Sequence, residues 1–225
     1  MLKRTHIKVA DNVLEAIQKN IKWKINRNAY LLGSVAPDLN FVYPAHTIDK
    51  TLARFRKRIL RVEESNSNLV KSFTLGVITH YICDYFCYAH NLNKTDPKHA
   101  IYERVMRKHV ELHEHILNSQ CESLNSQWEE IREHINESLS LKGENPELIL
   151  TDLSKNGLDH IDYILEMVQT MHKKYISETK LLDIANWCKS TRKIELDLDY
   201  ATFMCEKMSL LISNDIGKIG WSGLK

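Results

Sequence analysis

The run SFTLGVITHYICDYFCYAHN, residues 72–91, carries apolar side chains at Phe73, Leu75, Val77, Ile78, Tyr81, Ile82, Tyr85 and Phe86. On a helical net these positions cover every face, so the run predicts a helix buried on all sides. His80 and Asp84 stand in the middle of it, four residues apart and therefore on one face. A carboxylate enclosed in a core is costly without a partner. Two kinds of partner would relieve it: a buried Arg or Lys, or a metal ion.

Working outward, the remaining chain reads as helix after helix. Gly 7 and Pro 4 are few for 225 residues, hydrophobic residues make up 43% and charged residues 27%, and alternating strand patterns are almost missing. The expected class is therefore all-α, a multi-helix bundle in one domain over residues 1–225. Its candidate functional residues fall within 6–103, a helical packing half covers 104–216, and 217–225 is a short tail. A formal charge of +2 excludes a strongly electrostatic nucleic-acid binder. No leader pattern and no apolar run of about twenty residues is present, so the chain is expected to be soluble and cytoplasmic. The five Cys, at 83, 87, 121, 188 and 205, suit reduced thiols better than a disulfide framework. Eleven His are many for this length and point toward metal binding without placing the metal.

His6 opens the first helix on the face of Ala10, Val13, Leu14 and Ile17, and so points inward. Gly33 is read as a helix stop, after which Pro37 fixes the loop that carries Asp38. His46 follows in a loop with Pro44. Lys50 to Arg61 is basic, and Arg54, Arg56, Lys57, Arg58 and Arg61 form either a solvated helix face or a contact for an anionic surface or a phosphate-bearing substrate. Beyond the central helix comes His90, then a new helix expected to start at Pro97 with His99 and Glu103 on one face. His109, His113 and His115 lie among charged neighbours and are expected on an exposed face. In the C-terminal half only packing surface is expected.

Taken singly, His6, Asp38, His46, His80, Asp84, His90, His99 and Glu103 each have an ordinary explanation; as a set they do not. Two helices that each present an inward pair at four-residue spacing, His80 with Asp84 and His99 with Glu103, make two-ligand platforms. Imidazole plus carboxylate suits Zn²⁺ in an open site. A thiolate site from Cys83 and Cys87 with His80 is less favoured, because both lie about 60° or more from the His80 face.

The order of these residues resembles the zinc-dependent phospholipase C and single-strand nuclease superfamily. Its pattern is an N-terminal His, a loop Asp, a His, His-x-x-x-Asp, a His six residues on, and His-x-x-x-Glu. Here that pattern runs His6, Asp38, His46, His80 with Asp84, His90, and His99 with Glu103. The resemblance implies an all-α fold with a zinc cluster in the core. Asp38, His46, His80 and Asp84 would hold one ion, His90, His99 and Glu103 a second, and Asp84 would bridge to a third shared with His6. Two ions are expected to bind firmly. The third site should be weak or incomplete, because five residues precede His6 where secreted members supply a processed N-terminal Trp. The implied chemistry is hydrolysis of a phosphodiester, either a phospholipid head group or a nucleotide, with Asp38 as a general base. A single-strand nuclease and a non-catalytic protein that keeps the cluster remain as alternatives. Leu39, Asn40 and Phe41 stand where the secreted phospholipases carry an aromatic and acidic box for choline, so choline specificity is not implied.

Overall fold

A computed structural model gives the fold. It describes residues 1–39, 47–91, 98–112, 122–141, 157–181 and 189–213. Among them are nine α-helices and no strand: α1 (Lys3–Ile17), α2 (Arg27–Gly33), α3 (Ala36–Leu39), α4 (Ile48–Glu64), α5 (Asn68–Tyr85), α6 (Lys98–Leu112), α7 (Glu122–Leu141), α8 (Gly157–Leu181) and α9 (Thr191–Ser213). A 3-10 turn, Tyr88–Asn91, separates α5 from α6.

As the distribution of apolar residues demands, α5 is the axis of the bundle. Every residue from Thr74 to Tyr85 is buried. Helices α1, α2, α4 and α9 pack around it. Three of its polar side chains bond to the segments packed around it. Thr79 meets the Tyr30 hydroxyl of α2 at 2.9 Å, Tyr85 meets Thr51 of α4 at 2.8 Å, and the Ser72 hydroxyl accepts from the Asn26 N–H at 2.8 Å. Ser67 caps α5 by accepting from the Val70 N–H, and Asn26 caps α2 by accepting from Ala29.

The crossing of α2 on α5 is unusually close. A Cβ on Gly33 would lie 2.1 Å from the Phe73 carbonyl oxygen, and one on Gly76 would lie 2.0 Å from that of Tyr30. Both positions therefore need Gly for the approach of two backbones. Gly33 does end α2, as its sequence position suggests, but its packing role is the stronger constraint.

Several expectations are corrected. The central helix ends at Tyr85, short of Asn91, because the Tyr88 N–H donates to Asp197 of α9 at 2.7 Å instead of continuing the helical ladder. Asp38 lies in the short helix α3, not in a loop; its N–H bonds to the Val35 carbonyl at 3.1 Å. His109 is buried at 7% exposure, on the stripe that Tyr102, Met106 and Val110 share at helical spacing. On the basic helix α4, Arg56 pairs with Asp162 of α8, so that guanidinium joins two helices. The expected start of α6 at Pro97, together with His113, His115, the tail and residues 142–156 and 182–188 of the expected packing half, falls outside the described residues.

Candidate metal centre

Five elements bring their polar residues to one region at the C-terminal end of α5. The inward face of α1, buried through Val9, Ala10, Val13 and Ile17, carries His6. That ring stacks on His80 with centroids 4.1 Å apart. Asp38 comes from α3, His80 and Asp84 from α5, His90 from the 3-10 turn, and His99 and Glu103 from α6. His46 lies outside the described residues.

Two groups have ligand-capable atoms within 4.8 Å of one another: His6, Asp38 and His80, and separately His90, His99 and Glu103. Asp84 stands between them. Its Oδ1 lies 3.3 Å from His6 Nε2 and 3.6 Å from His90 Nδ1, and its Oδ2 lies 3.2 Å from His80 Nε2. In the first group Asp38 reaches His6 Nε2 at 3.9 Å and His80 Nε2 at 3.8 Å. In the second, Glu103 Oε1 lies 3.1 Å from His90 Nε2 and 3.3 Å from His99 Nε2. The resemblance assigned His6 to a third ion with Asp84; the fold sets it beside Asp38 and His80 as well, because the two rings stack.

Backbone carbonyls orient two of the imidazoles. His80 Nδ1 bonds to the Ser34 carbonyl at 2.9 Å, and His99 Nδ1 to that of Ala89 at 3.1 Å. A carbonyl only accepts, so each Nδ1 carries the proton, and in a neutral ring the Nε2 lone pair is the one turned inward. His80 Nε2 then faces Asp84 and Asp38, and His99 Nε2 faces Glu103. Lone pairs and carboxylate oxygens converging on common points create places for cations. This is the usual way a second layer of contacts presents His to a metal.

The electrostatics agree with that fit. Burial holds His6 well below its ordinary pKa, and the neighbouring His80 reinforces it. Burial likewise lowers His90 to about 4, against the opposing pull of Asp84. Both rings therefore stay neutral near pH 7 and remain able to bind a metal. Burial would raise Asp84, but the potentials of His90, the Met1 ammonium, His80 and His6 hold it well below the usual carboxylate range. Neither ring nitrogen of the fully buried His6 makes a hydrogen bond.

One participant was invisible in the sequence. The Met1 α-amino nitrogen lies 2.9 Å from Asp84 Oδ1, 2.6 Å from His90 Nε2 and 3.2 Å from Glu103 Oε1. Burial opposes its charge, yet Asp84 and other nearby groups push its pKa up to about 12. This nitrogen thus stands among the ligand-capable atoms of the second group. The set fits a divalent ion by donor chemistry, by lone-pair direction and by its tolerance of a cation at this point. The thiols fit less well: Cys83 Sγ lies 3.7 Å from that of Cys205, and burial raises Cys87 well above its ordinary range.

Searches of curated proteins and of solved structures return no match. Comparison with family descriptions does return one, over residues 5–196, which spans α1 to the start of α9 and includes every candidate ligand. The chain belongs to the zinc-dependent phospholipase C family.

Proposed function

We propose that this protein is a zinc-dependent phosphodiester hydrolase, and that its substrate is a phospholipid head-group diester. The observation that carries the reading is the position of Asp84, buried between two groups of ligand-capable atoms and within 3.6 Å of three imidazoles. His6, Asp38 and His80 would hold one ion, and His90, His99 and Glu103 another, with Asp84 available to both; His46 is a further proposed ligand. Zinc bound there supplies Lewis acidity toward the phosphoryl oxygens and lowers the pKa of water.

The chain's own residues do the remaining work. The Ser34 and Ala89 carbonyls fix the His80 and His99 rings, so the ligand set is organised before substrate arrives. Asp38 is 20% exposed, whereas Asp84 is fully buried. A partly exposed carboxylate on the rim of the cluster can accept the proton of an attacking water, which makes Asp38 the proposed general base. His99 at 19% and Glu103 at 14% share that accessible side, so substrate is expected to approach from α3 and α6.

Pairing of Arg56 with Asp162 occupies part of the basic helix, which favours a small diester over single-stranded nucleic acid. Among the described residues no helix is long and apolar enough to cross a membrane, so a lipid substrate would be met at a surface. The test is turnover of phosphatidylcholine, phosphatidylethanolamine and single-stranded DNA by zinc-loaded protein, with chelator and with His80→Ala. Chelator-sensitive release of phosphorylated head group supports the reading. Zinc-loaded, folded protein inert on all three would overturn it in favour of a non-catalytic metal protein.

A further inference from the structure

Asp197 lies on α9, far from the ligand sequence and fully buried. Its Oδ2 accepts the Tyr88 backbone N–H at 2.7 Å and the Tyr102 hydroxyl at 2.7 Å, while its Oδ1 accepts the Tyr175 hydroxyl at 2.6 Å. One turn earlier on the same helix, Lys193 places its ammonium 4.0 Å from the centre of the Tyr88 ring. Enclosing a carboxylate in a core is expensive, and three donors arriving from three different elements are what make it tolerable here.

The identity of those elements is informative. Tyr88 begins the 3-10 turn that carries His90, and Tyr102 adjoins Glu103 on α6, three residues beyond His99. A single carboxylate therefore ties together the two segments that supply the second group of ligand atoms, and anchors both to α9. The turn also needs the tie for its shape, because the Tyr88 N–H is what α5 gives up when it stops at Tyr85. The third bond runs to Tyr175 on α8, which supplies none of the candidate ligands.

We propose that Asp197 is a positioning residue for the His90, His99 and Glu103 group, setting the separation of the 3-10 turn and α6 so that the three ligand atoms converge. This rests on the reading that the group binds zinc. Asp197 belongs to neither group of candidate ligands; it acts through Tyr88 and Tyr102. The arrangement makes a directional demand. Weakening the bonds to Tyr88 or Tyr102 should loosen the metal group, whereas cutting the bond to Tyr175 should cost stability alone.

The experiment uses the full chain as wild type, Asp197→Asn, Tyr102→Phe and Tyr175→Phe, with His99→Ala to identify which zinc-binding step belongs to this group. Zinc affinity is read by competition with a chromophoric chelator, and stability by urea unfolding of the metal-free proteins. Asp197→Asn and Tyr102→Phe are expected to weaken the step lost in His99→Ala by roughly 10–100-fold, the range found for residues that orient metal ligands. The other step should keep wild-type affinity, and Tyr175→Phe should lower the unfolding midpoint without changing either step. Should Asp197→Asn fail to fold, Tyr102→Phe carries the test alone. Unchanged affinity in Tyr102→Phe, or an equal loss in Tyr175→Phe, overturns the positioning role while leaving the metal reading intact. A wild type that takes up no zinc overturns both.

Discussion

Replacing Gly76 by Ala tests how the fold builds the His6, Asp38 and His80 group. The added methyl would lie 2.0 Å from the Tyr30 carbonyl oxygen, 2.9 Å from the Ser34 nitrogen and 3.0 Å from the Gly33 Cα. All three are backbone atoms, so no side-chain rotation can relieve the overlap. Ordinary contact begins at 3.4 Å, so α2 must retreat from α5 by about 1.4 Å or the crossing must tilt. Overpacking of this kind costs about 1–3 kcal/mol. At 2–4 °C per kcal/mol for a chain of this size, the midpoint of thermal unfolding should fall by roughly 2–12 °C. A retreat also carries the Ser34 carbonyl away from His80 Nδ1, now 2.9 Å distant, beyond the range of a good hydrogen bond. The His80 ring would then lose its orientation, and the His6, Asp38 and His80 group should bind zinc roughly 10–100-fold more weakly. The His90, His99 and Glu103 group, fixed from α6 and α9, should be spared. Circular dichroism gives the melting midpoint, and chelator competition resolves the two binding steps. A variant with wild-type midpoint and wild-type zinc affinity would refute the close crossing, and an equal loss at both steps would refute its local link to His80.

Asp84→Asn keeps the shape of the side chain but removes the charge shared by the two groups, so zinc content should fall well below that of the wild type while far-ultraviolet dichroism is retained; full zinc occupancy by elemental analysis would contradict the role given to Asp84. Stripping metal from the wild type should lower the unfolding midpoint, and zinc at about a hundred times its dissociation constant should restore about 2.7 kcal/mol for each ion bound; a midpoint indifferent to zinc would argue that the cluster binds none. His160 offers a pH test away from the cluster. Burial holds it at about 4, below its ordinary 6.5, despite Glu63 at 3.8 Å. Because its native pKa is the lower one, the unfolded chain takes up the proton first; the stability His160 confers is complete above pH 6.5 and drains away as the pH falls toward 4. The full span is on the order of 3 kcal/mol, so His160→Gln should narrow the difference in urea midpoint between pH 7 and pH 4.5, and an unchanged difference would show that this ring does not titrate as a buried group.

What could be read from the sequence was whatever depends on one element at a time. The burial of α5 follows from apolar residues on every face, and the inward direction of His6 from the stripe it shares with Val13 and Ile17. What could not be read depends on pairs of elements. The end of α5 is decided by a carboxylate 109 residues away. Gly33 and Gly76 each look like single glycines until two helices are crossed. The C-terminal half, expected only to pack, contributes Asp197 with its three donors. For His109 a signal did exist: Tyr102, Met106, His109 and Val110 follow the helical stripe, and the charged neighbours at 108 and 111 belong to the opposite face.

For the site, the sequence left two partners open for the buried Asp84, a basic side chain or a metal. Lys193 is fully buried, yet its ammonium stands over the Tyr88 ring and within the influence of Asp197. Nor do His6 and His90 supply the charge, since burial keeps both neutral. Asp38, Asp84 and Glu103 bring three carboxylates to the cluster. Carboxylates gathered among inward-facing nitrogen lone pairs make a balance that one or more divalent cations would relieve. The same balance says why position in the sequence alone could not decide the matter. It depends on which imidazole nitrogen carries the proton, and that is set by the carbonyls of Ser34 and Ala89, two residues with no metal-binding chemistry in their own side chains.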